Sequence, residues 1–184
     1  LIGEAKALGR LSHPNIVAVF DVGTQNDDVW LAMEFVSGRT LGAWRKQQRP
    51  GWREVADVMR QAGRGLAGAH EAGLVHRDFK PENVMLGDDG RVRVMDFGLA
   101  LPSGSPRDLE EEDLGSKQTL SQSMATRGIA GTPRYMAPEQ FRGDSVTHLA
   151  DQFAFCITMW EALYGARPFE GDTLAELAAN VCEG

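Results

Sequence analysis

The chain has 184 residues, 42% of them hydrophobic and 24% charged. That is enough apolar material for a buried core, which excludes a wholly disordered chain. With 26 acidic against 19 basic residues the net charge is −7, the wrong sign for a protein that grips a phosphate backbone, so no nucleic-acid partner is expected. Cys156 and Cys182 are too few for a disulfide scaffold and read as free thiols in a reducing compartment, which suits the cytoplasm. No apolar run approaches the roughly 18 residues of a spanning helix, and the start at Leu1 shows no charged-then-apolar leader, so no membrane contact is expected from this segment.

In chain order, residues 3–11 read as a short helix with Ala5, Leu8 and Leu11 on one side, broken by His13-Pro14-Asn15. Two β-rich runs follow, Ile16–Val22 and Val29–Val36, with a hairpin loop over residues 23–28 and a connector at Ser37-Gly38. A strong amphipathic helix is predicted from about Arg53 to Ala72, its apolar face carrying Val55, Val58, Met59, Ala62, Leu66 and Ala69, with Gly73 placed to end it. Asn83–Leu86 and Arg91–Met95 read as short strands turning at Asp88-Asp89-Gly90. Residues 101–130 are rich in Ser, Thr, Gly, Asp and Glu, include the acidic run at 110–113, and predict a mobile loop. An apolar helix covers about His148 to Tyr164, with Phe153 and Trp160 assigned to the core, and residues 173–182 could form one more helix. Early strands followed by a mainly helical body predict an α+β fold with two lobes.

Chemistry concentrates in His76-Arg77-Asp78-Phe79-Lys80-Pro81-Glu82-Asn83, between a helix and a strand. Asp96-Phe97-Gly98 follows after the predicted hairpin, which would fold Asp96 back beside Asn83. Asp96 and Asn83 would then offer hard oxygen ligands for Mg²⁺, Asp78 could accept a proton from an attacking hydroxyl, and Lys80 could neutralise a transferring phosphoryl group. Metal, cation, base and positioning make up the inventory of phosphoryl transfer. Asp96-Phe97-Gly98 alone would be a common turn and His76-Arg77-Asp78 alone a weak signal; both, in order and joined by a hairpin, are far more specific. By contrast, Gly63-Arg64-Gly65-Leu66-Ala67-Gly68 spells a phosphate-loop pattern but falls inside the long helix, where close packing explains it better. His70 reads as a partly buried packing residue, His13 as a turn residue and His148 as exposed; none has the i, i+4 spacing of a helical zinc site.

These motifs resemble the catalytic domain of a eukaryotic-type serine/threonine protein kinase of the kind found in bacteria. His76 to Asn83 is similar to that family's catalytic loop, with Phe79 where Leu is usual, and Asp96-Phe97-Gly98 to its metal-binding motif. The string Gly131-Thr132-Pro133-Arg134-Tyr135-Met136-Ala137-Pro138-Glu139-Gln140 is similar to the end of the activation segment, and His13-Pro14-Asn15-Ile16-Val17 to the link from helix C to the fourth strand. The resemblance implies a two-lobed protein-kinase fold, with residues 1–36 a remnant of the N-lobe and hinge, 37–184 an incomplete C-lobe, and 96–139 a long activation segment. It implies ATP and Mg²⁺ as cofactors and protein substrates as partners, and leaves room for association between kinase copies. Glu4 becomes the helix-C glutamate, Met33 the gatekeeper, and Glu34 to Val36 the hinge whose backbone meets adenine, with Met85 also at the nucleotide. Asp151 becomes the aspartate that braces the catalytic loop. Thr132 would bond Asp78 and Lys80 through its hydroxyl. Arg77 would receive a phosphorylated loop residue, here Thr126, with Thr119, Ser121 and Ser123 as alternatives.

The resemblance also implies a partial domain, since it aligns the chain from helix C to just past helix F and finds no glycine-rich loop or strand-3 lysine. A chain of that extent is expected to bind ATP poorly and to show no phosphotransfer by itself. A pseudokinase or binding module retaining the fold is the alternative; Asp78, Lys80, Asn83 and Asp96 together favour turnover. A small-molecule kinase of related fold would lack the Gly-Thr-Pro…Ala-Pro-Glu platform present here. Lys80, two residues after Asp78, and Thr132 favour Ser/Thr over Tyr, because tyrosine kinases of the family usually carry Ala-Ala-Arg or Arg-Ala-Ala in this loop.

Overall fold

A computed structural model describes residues 8–26, 28–97 and 132–184. The positions of Glu4, of the loop over 101–130 with its acidic run, and of Thr119, Ser121, Ser123 and Thr126 lie outside the described residues. Residues 8–10 are helical. β1 (Val19–Gln25) and β2 (Asp28–Met33) form an antiparallel hairpin, registered from Val19 opposite Met33 to Gln25 opposite Asp28. The turn is therefore tighter than the loop the sequence predicts. Asn26 takes a left-handed φ of 50°, a conformation that Asn tolerates, so residues 23–25 remain in the strand. β1 also starts later than expected. Ile16 and Val17 instead run parallel to a later strand, with Val17 N–H donating to the Val94 carbonyl at 2.9 Å. β2 stops at Met33, and residues 34–37 form an extended strap rather than more strand.

β3 (Gly38–Thr40) begins within the predicted connector at Ser37-Gly38. It pairs antiparallel with β4 (Val84–Gly87), which pairs with β5 (Val92–Val94). α1 (Leu41–Gln48) follows directly and was not anticipated. Its signals are the cap at Thr40, whose hydroxyl accepts the Ala43 N–H, and two anchors, Leu41 and Trp44, which are buried.

α2 (Trp52–Glu71) buries the apolar face that its periodicity predicts, and Gly73, at φ 76°, ends it. Its glycines serve close packing. A Cβ on Gly65 would sit 2.4 Å from the Asn15 carbonyl oxygen, so only glycine lets the helix pass that backbone. α4 (His148–Tyr164) lies across α2 and buries Ala150, Ala154, Ile157 and Ala162. Trp160 is off that face. It is 46% exposed and rests on Tyr164, so it is not the core residue the sequence suggested, whereas Phe153 does pack against the core. A short α3 (Pro138–Arg142) precedes α4, and α5 (Leu174–Glu183) is capped reciprocally by Thr173 and Glu176. Among the described residues no helix is long and apolar enough to cross a membrane.

Candidate active site

The core of β5, α2 and α4 supports one loop, residues 74–80, between α2 and β4. Phe79 is fully buried, with its ring 5.8 Å from both His76 and Phe155, which is how the larger side chain is accommodated. Asp151, on the first turn of α4, is 1% exposed and holds the loop from below. Its carboxylate accepts the backbone N–H groups of His76 and Arg77, each at 2.7 Å, and lies 2.7 Å from His70 Nε2. Arg77 has φ 66°, and its carbonyl accepts from Gln140 Nε2 at 3.0 Å.

His76 is fully buried. Burial pushes its imidazole pKa below the ordinary value, against the pull of Asp151 and Asp78. A neutral ring with the proton on Nε2 satisfies both of its bonds: Nε2–H donates to the Met95 carbonyl at 3.0 Å, and Nδ1 accepts the Asp78 N–H at 3.3 Å.

Asp78 is thereby presented at the edge of the loop, with its side chain 22% exposed. One carboxylate oxygen accepts from Lys80 Nζ at 2.5 Å, the other from the Thr132 backbone N–H at 2.8 Å. Lys80 Nζ also donates to Thr132 Oγ1 at 2.6 Å. The Thr132 hydroxyl thus meets Lys80, while Asp78 is met by the backbone amide rather than by the hydroxyl that the resemblance implied. Asp78, Lys80 and Thr132 close a triangle whose third corner comes from 52 residues beyond Lys80.

Asn83 ends the short 3₁₀ turn Pro81–Asn83 and is buried. Its Nδ2 donates to the Asp78 carbonyl at 2.9 Å, which leaves the amide oxygen as the atom free to face a cation. The β4–β5 hairpin returns the chain so that Met95 N–H donates to the Asn83 carbonyl at 3.0 Å. Asp96, the next residue, is exposed and left-handed at φ 55°. An amide oxygen and one carboxylate make a hard, sparse donor set. Mg²⁺ fits it, because that ion keeps waters and phosphate oxygens rather than filling a protein cage. Among the described residues no group of three or more His, Cys, Asp or Glu side chains is placed to hold a metal ion.

The proposed nucleotide contacts are placed less fully. Glu34 and Val36 lie on the strap between β2 and β3, and Met85 lies on β4 between Thr40 and Arg93. The sequence reading missed Gln140 as a brace of the loop, His70 as a partner of Asp151, and Arg93. Alternation in Val92-Arg93-Val94 would send Arg93 to solvent, yet it is 3% exposed; the only sequence signal was the carboxylate pair at 88 and 89.

The family model for the protein kinase domain matches residues 1–184. The chain belongs to the protein kinase domain family. Among its relatives, the probable serine/threonine-protein kinase PknB of Lactococcus lactis is 36% identical over 95% of this chain and 26% of its own length. Serine/threonine-protein kinase PrkC of Bacillus subtilis is 33% identical over 95% of this chain and 25% of its own length. Serine/threonine-protein kinase PknL of Mycobacterium tuberculosis is 36% identical over 95% and 40% respectively. The kinase chain thus spans about a quarter of the length of the first two relatives.

Proposed function

We propose that this chain carries the catalytic loop of an ATP-dependent serine/threonine protein kinase. The reading rests above all on the triangle of Asp78, Lys80 and Thr132, set beside Asn83 and Asp96. The substrate hydroxyl oxygen forms a bond to the γ-phosphorus, the bond to the β,γ-bridging oxygen breaks, and ADP leaves. Asp78 orients the hydroxyl and takes its proton. Lys80, pinned between Asp78 and Thr132, offers its charge to the transferring phosphoryl group without having to be reorganised. Thr132 fixes the far side of Asp78 through its backbone N–H. Asn83 and Asp96 would hold Mg²⁺, which supplies charge neutralisation at the phosphate oxygens.

Glu34 and Val36 would meet adenine through backbone groups, with Met85 beside it. The division at 36/37 into N-lobe and C-lobe portions belongs to the same reading. Glu4 and Thr126 take their roles from the family resemblance: Glu4 as the helix-C glutamate, Thr126 as an activating phosphosite. A phosphate there adds about −1.5 to −2 charge and three acceptors for arginine. Phosphosite mapping of active protein followed by Thr126→Ala tests it; an unmodified Thr126 and an undiminished alanine variant would reject that site alone. The kinase reading itself is tested by incubating the full-length protein with γ-labelled ATP, Mg²⁺ and a mixture of Ser-, Thr- and Tyr-containing peptides. Label is expected on Ser or Thr; label on Tyr only, or none with wild-type protein that binds Mg-ATP, would overturn it.

A further inference from the structure

The strap of residues 34–37 is not held by packing. Phe35 is 91% exposed, Ser37 is exposed, and Glu34 and Val36 are only partly covered. Polar anchors hold it instead, most of them from the β4–β5 hairpin. Arg93 forms an ion pair with Glu34 Oε1 at 3.1 Å and donates, in a fork, to both oxygens of Asp89 at 3.1 and 2.7 Å. Asp89 is further bound by Arg91. At the other end of the strap Ser37 Oγ donates to Asp88 at 2.8 Å, and Asp88 N–H donates to the Ser37 carbonyl at 2.8 Å. The Glu34 N–H donates to the Ala18 carbonyl at 2.8 Å, so the residue just before β1 supplies one further tie.

Room has been made for this pair. A Cβ on Gly87 would lie 2.4 Å from Asp89 Oδ1 and 2.9 Å from an Arg93 guanidinium nitrogen. Arg93 is a buried guanidinium with two carboxylate partners, an arrangement that fixes geometry as well as charge. Three residues further along the chain, just past the end of β5, lies Asp96, itself tied back through Met95 to Asn83 and His76.

We propose that Arg93 is a positioning residue for the nucleotide: it sets the register of the strap, which meets adenine, relative to Asp96, which meets the metal. The assignment rests on the kinase reading above. Asp96 keeps its own ties when Arg93 is removed, so the defect falls on adenine binding more than on the chemical step.

The test uses the full-length protein with Mg-ATP, measuring KM and kcat separately together with nucleotide affinity by calorimetry. Arg93→Met is expected to raise KM for ATP about tenfold, the size of one lost charge-assisted bond, with kcat changing far less. Arg93→Lys should recover part of the loss. Glu34→Gln should raise KM likewise, and the double variant should be no worse than Arg93→Met, because both remove one interaction. If Arg93→Met does not fold, Glu34→Gln and Asp89→Asn carry the test. An unmoved KM in folded Glu34→Gln and Arg93→Met, or equal losses in kcat and KM with no recovery by lysine, would overturn the proposal while leaving wild-type turnover intact. Wild-type protein that binds no Mg-ATP would instead bring down the kinase reading, and this one with it.

Discussion

Asp151 accepts the backbone N–H of Arg77 at 2.7 Å across a separation of 74 residues, and Arg77 sits at φ 66°. A left-handed arginine costs about 1–3 kcal/mol and persists only where its surroundings over-determine it. Asp151 does so by binding two successive amides, and Gln140 completes the clamp at the carbonyl. Asp151→Ala should therefore unfold more readily, by about 1–3 kcal/mol for each buried amide left without an acceptor. Denaturant unfolding measures it. Turnover should fall further than the lost stability explains, because the loop that carries Asp78 can relax.

Asp78→Asn keeps the shape of the side chain but removes its capacity to take a proton. We expect kcat to drop by at least about 10²-fold, the lower range for general-base positioning, with ATP affinity little changed. Single-turnover kinetics and calorimetry on the same preparation separate the two. Near wild-type turnover would exclude Asp78 as the base.

Asp96→Ala removes one of the two proposed metal ligands. Calorimetric titration with ATP in the presence and absence of Mg²⁺ should show the Mg²⁺-dependent part of the affinity disappear. Because Asp96 is exposed, the only stability cost expected is the roughly 1–2 kcal/mol of placing alanine at φ 55°. An unchanged Mg²⁺ dependence would move the metal elsewhere.

His76 gives the fold a pH dependence. Its pKa is lowered in the folded state from an ordinary value of 6.5, chiefly by burial. The unfolded chain therefore binds the extra proton first. Stability is fully present above pH 6.5 and is lost as pH falls towards the folded value, at up to about 1.4 kcal/mol per pH unit for one proton. Thermal unfolding between pH 7.5 and 5 should show this slope, and His76→Gln should flatten it while lowering stability throughout.

Gly65→Ala tests the packing explanation for the glycines of α2. Alanine is the better helix former by about 1 kcal/mol, yet its methyl would meet the Asn15 carbonyl, and overpacking of this kind costs about 1–3 kcal/mol. The substitution should lower Tm. A rise in Tm would show that the close approach relaxes without cost.

Much of this molecule was readable in its residues. The apolar faces of α2 and α4 follow the helical period, the β4–β5 turn follows Asp88-Asp89-Gly90, and Asp78, Lys80, Asn83 and Asp96 are close enough in sequence for one hairpin to gather them. These features rest on local periodicity and turn chemistry, which act within about ten to twenty residues. What the tertiary structure decided are the relationships between distant segments. Ile16 left its predicted strand to run beside Val94, and Gly38–Thr40 became a strand only because β4 was there to pair with it. Thr132 met Asp78 through its backbone rather than its hydroxyl, Trp160 turned outward, and Arg93 was drawn inward by Asp89 and Glu34. A sequence records each residue's propensity, but a buried charge or a backbone donor is settled by which partner comes within reach. That depends on the packing of α2, α4 and β5 as a whole.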